Sequence, residues 1–201
     1  PTGWASLWEE RLRGRLTMLD DPAEVLGACL KKLGWSVNST DAAELRRAGE
    51  QARAQKPLLR AYVNAEVRDQ LVAGDVLAAQ LWATTSLQAM EETAELAFAW
   101  PSEGFPLYAD NAAILRESEH GELAHRFIDY LLRPEVAAAV VKAIKTATPN
   151  AKAKALLPES LRWNPTLYPP PELLRRGEWF AALPAAAQRL RDRIWTEIRS
   201  A

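Results

Sequence analysis

Cysteine is almost missing from this sequence. Cys29 stands alone, so no disulfide can form within the chain, and cysteine usage says nothing firm about compartment. Its setting, Glu24-Val-Leu-Gly-Ala-Cys29-Leu30, is apolar and helical, which suits a small buried hydrophobe. Histidine is scarce as well. His120 and His125 lie five apart on a predicted helix, whereas zinc sites prefer a spacing of three or four; both read as surface or cap residues. Neither sign of charge is in excess: 25 Lys and Arg stand against 26 Asp and Glu, a formal net charge of −1. Without a broad basic field, no nucleic-acid partner is expected. No apolar run approaches the length that spans a bilayer. There is no G-x-S-x-G elbow, P-loop, paired metal ligands or Cys/His constellation, so neither an enzyme nor a metal or other cofactor is expected.

What is present is ordinary in bulk and unusual in detail. The 201 residues are 48% hydrophobic and 25% charged, enough for one good core or two small lobes. Tryptophan occurs eight times. Most of these rings read as core anchors, but aromatics near acidic residues raise the question of a cationic ligand. Pro1-Thr2-Gly3-Trp4 runs straight into an amphipathic stretch with no apolar signal segment, so either the chain is a processed piece or its true start lies upstream.

Hydrophobic spacing predicts a helix over 4–13, a short strand over 15–19, and a helix from Asp21-Pro22 to Leu33 that Gly34 stops. A helix over 41–55, a strand over 59–63, a short helix over 65–73, a buried strand over 76–82, a helix over 84–92 and a strand over 96–100 follow. Residues 101–111 form a Gly/Pro-punctuated crossing. Beyond it the chain is mostly helix, at 119–132, 134–145 and 185–199, interrupted by Thr148-Pro-Asn150 and the proline-rich Tyr168-Pro-Pro-Pro171. The alternation of strand and helix in the first hundred residues argues for a mostly parallel sheet with helices on both faces.

A series of short stretches runs through the chain in order. It comprises Trp4-Ala-Ser-Leu-Trp8, Met18-Leu-Asp-Asp-Pro-Ala-Glu-Val25, Lys31-Lys-Leu-Gly-Trp-Ser-Val-Asn-Ser-Thr-Asp41, Gly74-Asp-Val76, Leu81-Trp82, Trp100-Pro-Ser-Glu-Gly104 and Tyr108-Ala-Asp-Asn-Ala-Ala-Ile114. Phe127-Ile-Asp-Tyr-Leu-Leu-Arg-Pro134, Thr148-Pro-Asn150, Leu167-Tyr-Pro-Pro170 and Gly177-Glu-Trp179 complete it. None is specific alone. In this order they resemble the spermidine/putrescine-binding proteins of bacterial ABC importers, over essentially the whole chain.

The resemblance implies an α/β, type II periplasmic-binding-protein-like fold. Its two lobes are hinged, with ligand held between them and handed to permease membrane subunits in the cell envelope, periplasmic or extracellular. The chain looks like such a protein without its opening segment. Residues 1–104 would be the second lobe, an open mixed sheet flanked by helices. Residues 105–149 would be the helical returning segment of the first lobe, and 150–201 the C-terminal crossing and helices packing on the second lobe.

A polyamine is a string of ammonium groups on an apolar chain, with amines near the lysine reference pKa of about 10.4. Holding it in a groove takes spaced carboxylates and apolar or aromatic walls. The resemblance assigns ligand-facing roles to Asp21 and Glu24, to Trp82, to Tyr108 and Asp110, and to the positions of Thr146 and Phe180. By pattern alone, Asp21-Pro22-Ala23-Glu24 is also a good helix opening, Trp82 a core residue and Asp110 a turn residue. The sequence departs from the family pattern in four places: Ala83-Thr84 follow Trp82 where Asn-Gly is common, Tyr108 stands where Trp is common, Thr146 stands at a tyrosine position, and Phe180 at a polar amide position. The last two weigh against spermidine and toward a shorter diamine or another cation, and Lys145 beside Thr146 is placed to oppose a polyamine.

An iron-binding relative would show adjacent tyrosines, which Tyr62, Tyr108, Tyr130 and Tyr168 are not. The rival of another class is a lobe that binds no small ligand and serves as a structural or interaction domain. The apolar faces of helices 119–145 (Phe127, Leu131, Val136, Val140, Val141, Ile144) are then expected to be exposed and to pack on a second copy or on the C-terminal part. The arginines of Arg189-Leu-Arg191-Asp-Arg193 read as a solvated face.

Overall fold

The computed structural model describes residues 2–64 and 66–200. Trp4–Trp8 and Glu10–Leu12 are two short 3-10 turns rather than the predicted helix. Trp4 and Leu7 are both buried, and their i,i+3 spacing satisfies a 3-10 helix as well as an α-helix. β1 (Leu16–Met18) follows, then α1 (Pro22–Lys32), α2 (Ala42–Gln55), β2 (Leu59–Tyr62), α3 (Val67–Val72), β3 (Ala78–Ala79) and α4 (Ala83–Glu92). β4 (Phe105–Leu107) leads to α5 (Gly121–Leu132) and α6 (Pro134–Ile144). The short helices α7 (Ala151–Ala155), α8 (Glu159–Arg162) and α9 (Pro171–Leu174) come next, then β5 (Gly177–Trp179) and α10 (Ala185–Ser200).

The strands form two small sheets, in the orders β2-β1-β3 and β4-β5, and every pairing is parallel. β1 lies at the centre of the first, with Leu16, Thr17 and Met18 at 0% exposure, as a parallel strand covered on both faces requires. Against it pack α1, α2 and α10, through Leu26, Leu30, Leu45, Ala48, Ile194 and Ile198. Two helices are opened by their own carboxylates: Asp21 accepts from the amides of Ala23 and Glu24, and Asp41 from those of Ala43 and Glu44. Asp41→Ala, which touches only the cap, is expected to lower stability by about 1 kcal/mol in urea unfolding.

Two strand expectations need correcting. The strand expected over 76–82 pairs only at Ala78–Ala79 and is half-buried, with Leu77 in solvent. The strand expected over 96–100 is absent among the described residues. Leu96, Phe98 and Trp100 do point inward while Ala97 and Ala99 point out, so the alternation reports an extended backbone, but it joins no ladder. The expected exposure of residues 119–145 holds for α5, which buries no residue and leaves Leu123, Phe127 and Leu132 in solvent. In α6, Val141 with Ala138 packs on Ala153, Leu157, Leu161 and Leu167 of the C-terminal part and on Leu87, one of the two outcomes expected for this face.

No helix among the described residues is long and apolar enough to cross a membrane.

Candidate functional site

Parallel pairing aligns the carboxyl ends of neighbouring strands, and open α/β sheets place ligands just beyond those ends. Six of the seven candidate residues lie there. Asp21 and Glu24 follow β1, Trp82 follows β3, Tyr108 and Asp110 follow β4, and Phe180 follows β5. β4 and β5 pair Leu107 with Trp179, and the Phe180 amide donates to the Leu107 carbonyl at 3.1 Å, so Tyr108 and Phe180 emerge side by side. Thr146 arrives differently, one residue after Lys145, which ends α6 in the left-handed conformation (φ 58°).

All seven side chains line one cleft of about 590 Å³. Asp21 uses one carboxylate oxygen, Oδ1, to cap α1, accepting at 2.7 and 2.9 Å. Oδ2 has no hydrogen-bond donor among the described residues. Glu24, in the first turn of α1, is only 8% exposed. Burial pushes its carboxyl up to about 7, the charge of Asp21 pushes the same way, and the Trp82 indole N–H opposes them by donating to Oε1 at 3.2 Å. Below its carbonyl, Gln80 of the β3 strand end donates Nε2–H at 2.9 Å and ties α1 to the sheet. Tyr108 is half exposed. Desolvation of its inner part pushes the phenol up to about 12, assisted by the charges of Asp110 and Glu24. Asp110 is exposed on the cleft rim. The Phe180 ring lies over Gly27 of α1, where an added Cβ would meet it at 4.0 Å. Thr84 and Thr85, at the departure from Asn-Gly, also line the cleft.

A partly buried ion pair ties β5 to α1. Lys31 of α1 reaches Glu178 of β5, whose other oxygen accepts from Ser36 Oγ at 2.5 Å and the Val37 amide at 3.2 Å. Despite desolvation, these partners hold the Glu178 carboxyl below the ordinary range.

Two cations differ from expectation. Lys145 does not oppose the site: its ammonium pairs with Glu91 at 2.9 Å, and it is outside the cleft wall. Arg191 takes its place. Read from the sequence as part of a solvated face, it lines the cleft. The missed signal is periodic. Ala187, Arg191, Ile194 and Ile198 fall at i, i+4, i+7 and i+11, so an arginine interrupts the apolar stripe that α10 turns inward.

This arrangement offers three carboxylates and three aromatic rings on one concave surface, which can neutralise ammonium groups and cover a methylene chain. Among the described residues, no group of three or more His, Cys, Asp or Glu side chains is arranged to hold a metal.

The chain is 33% identical over 178 residues to the spermidine/putrescine-binding periplasmic protein of Escherichia coli, covering 89% of this chain and 51% of that protein. It is 32% identical over 210 residues to the putrescine/cadaverine-binding protein of Pseudomonas aeruginosa, covering 99% and 59%. The chain thus spans about half the length of these curated relatives. A solved structure from Listeria monocytogenes described as a spermidine/putrescine ABC transporter superposes with a TM-score of 0.94 at 27% identity, covering 98% of this chain and 61% of that one. The model of the bacterial extracellular solute-binding proteins matches residues 1–171. The chain therefore belongs to the bacterial extracellular solute-binding protein family, whose members bind solutes rather than transform them.

Proposed function

We propose that this chain forms part of the solute-binding component of an ABC importer in the cell envelope, and that its cleft holds an amine of the putrescine or spermidine class for delivery to the permease subunits. One observation carries this reading: Asp21, Glu24 and Asp110 face the same cleft as Trp82, Tyr108 and Phe180. The substrates named for the Escherichia coli and Pseudomonas aeruginosa relatives are of the same chemistry. On this reading 1–104 is one lobe, 105–149 a returning segment of the other and 150–201 the last crossing. Closure of the lobes completes the cleft by a hinge motion, and the paired β4 and β5 are the strands that cross.

The test is calorimetric titration of the protein as its gene encodes it with putrescine and spermidine. At least one of the two is expected to bind, and Asp110→Ala to weaken it at least about 30-fold, since truncating one partner of a charge pair that lobe closure desolvates costs about 2–5 kcal/mol. If the folded protein binds no amine, the ligand class is wrong.

The exposed apolar face of α5, with Leu123, Phe127 and Tyr130, favours a second reading: a unit that acts through contact with a partner or a second copy and holds no ligand. Amine binding by a monomer in light scattering would argue against it.

A further inference from the structure

The cleft carries one charge that amine binding does not use. Arg191 on α10 lines it together with Phe180 and Ala181. Two nearby arginines have acidic partners, Arg53 with Glu197 and Arg199 with Asp20, whereas Arg191 lines the cleft without one. Arg191 has no carboxylate within ion-pair reach among the described residues. Its Nη2–H donates to Gln188 Oε1 on the same helix at 2.7 Å, and its Nε is buried with no acceptor. A buried donor left without an acceptor costs about 1–3 kcal/mol, so the guanidinium is not fully satisfied within the chain.

A plain polyamine cannot satisfy it. At neutral pH every nitrogen of such a ligand is a charged donor, and an ammonium brought to Arg191 meets a like charge. Phe180 and Ala181, which also line the cleft, offer that ammonium no side-chain acceptor. A carboxylate or amide oxygen, by contrast, fits a guanidinium, whose planar fork binds it with parallel N–H donors. We propose that the amine taken by this cleft carries an oxygen acceptor, a carboxylate or an amide carbonyl, at the end remote from its ammonium, and that Arg191 is the residue that reads it. The ligand class is then an ω-aminocarboxylate or a mono-acylated diamine. Its ammonium meets the carboxylates of Asp21, Glu24 and Asp110, and its methylenes meet the rings. This inference rests on the amine-binding function proposed above and narrows it.

The experiment compares ligands of similar chain length. The protein as encoded is titrated at pH 8 with cadaverine, with 5-aminopentanoate, and with putrescine and N-acetylputrescine, alongside Arg191→Met, which keeps an apolar stem and removes the fork. At least one of the two acceptor-bearing ligands is expected to bind tenfold or more tightly than its parent diamine, and Arg191→Met to reverse that preference. Thermal unfolding confirms that the variant is folded, and a preference ratio does not depend on the fraction folded. Diamines binding more tightly in the wild type, or a ratio unchanged by Arg191→Met, would overturn the role of Arg191 and leave amine binding intact. Binding of none of the four, nor of spermidine, by folded protein would overturn both.

Discussion

Glu24→Gln is expected to stabilise the ligand-free protein at pH 8 by about 2–3 kcal/mol and to leave its stability at pH 4 unchanged. Burial pushes the carboxyl from 4.5 up to about 7 in the fold, a gap worth at most about 3.5 kcal/mol at 1.4 kcal/mol per pH unit. The sign follows from linkage. A carboxyl raised in the folded state favours folding most below its unfolded value, and that contribution is lost as pH rises from about 4.5 through about 7. Glutamine keeps an oxygen for the Trp82 indole N–H and removes the charge that burial penalises. Urea unfolding at the two pH values checks this. Equal destabilisation at both would mean that Glu24 is held by packing rather than strained by desolvation.

The same substitution is expected to harm binding. Only ionised Glu24 attracts an ammonium, and the ligand amines stay charged across this range. Wild-type affinity should rise about tenfold per pH unit toward pH 7 and then level, by the same proton linkage. Glu24→Gln should lack that rise and bind at least about tenfold more weakly at pH 8. A residue that weakens the empty fold and strengthens the complex is the trade expected of a binding site.

Gly104→Ala is expected to be the most damaging small substitution in the chain, lowering Tm by about 10 °C. Gly104 sits at φ 101° immediately before β4, and an added Cβ would lie 2.5 Å from the Arg176 carbonyl oxygen. A side chain at that φ costs about 1–3 kcal/mol, and the clash falls on backbone that cannot swing aside. The Phe105 amide donates to that same carbonyl at 3.4 Å where β4 meets β5, and Gly104's own carbonyl accepts from Trp4 Nε1 at 2.7 Å. Each kcal/mol lost shifts Tm by about 2–4 °C at this size. Affinity should fall as well, because β4 and β5 aim Tyr108 and Phe180. Gly121→Ala is the control: nothing lies within 4 Å of its added Cβ, and Tm should move little.

How much was legible depended on whether the signal was local. The starts of α1 and α2 were readable because Asp21 and Asp41 cap their own helices. The stop after α1 was readable because Gly34 takes φ 81°. β1 stood out as a short run buried on both faces. β4 and β5 carry a proline and a glycine within their three residues, which reads locally as loop, and each exists only through a partner about 70 residues away in sequence. The 96–100 segment failed the opposite way: its alternation is real but no strand edge receives it. At the site, the residue types came from a family resemblance, while pattern alone favoured capping for Asp21, packing for Trp82 and a turn for Asp110. The first of these is what Asp21 also does, with one oxygen. The cations were misjudged because charge was read by proximity in sequence. Lys145 is adjacent to Thr146 yet pairs with Glu91, whereas Arg191 reaches the cleft from α10, far along the chain.

The most direct test is a crystal structure of the protein, as encoded, grown with an amine ligand that calorimetry shows to bind. The expected result is an ammonium nitrogen within hydrogen-bond distance of Asp21, Glu24 or Asp110, with the methylenes against Trp82 and Tyr108. Ligand bound elsewhere, with this cleft holding only water, would contradict it.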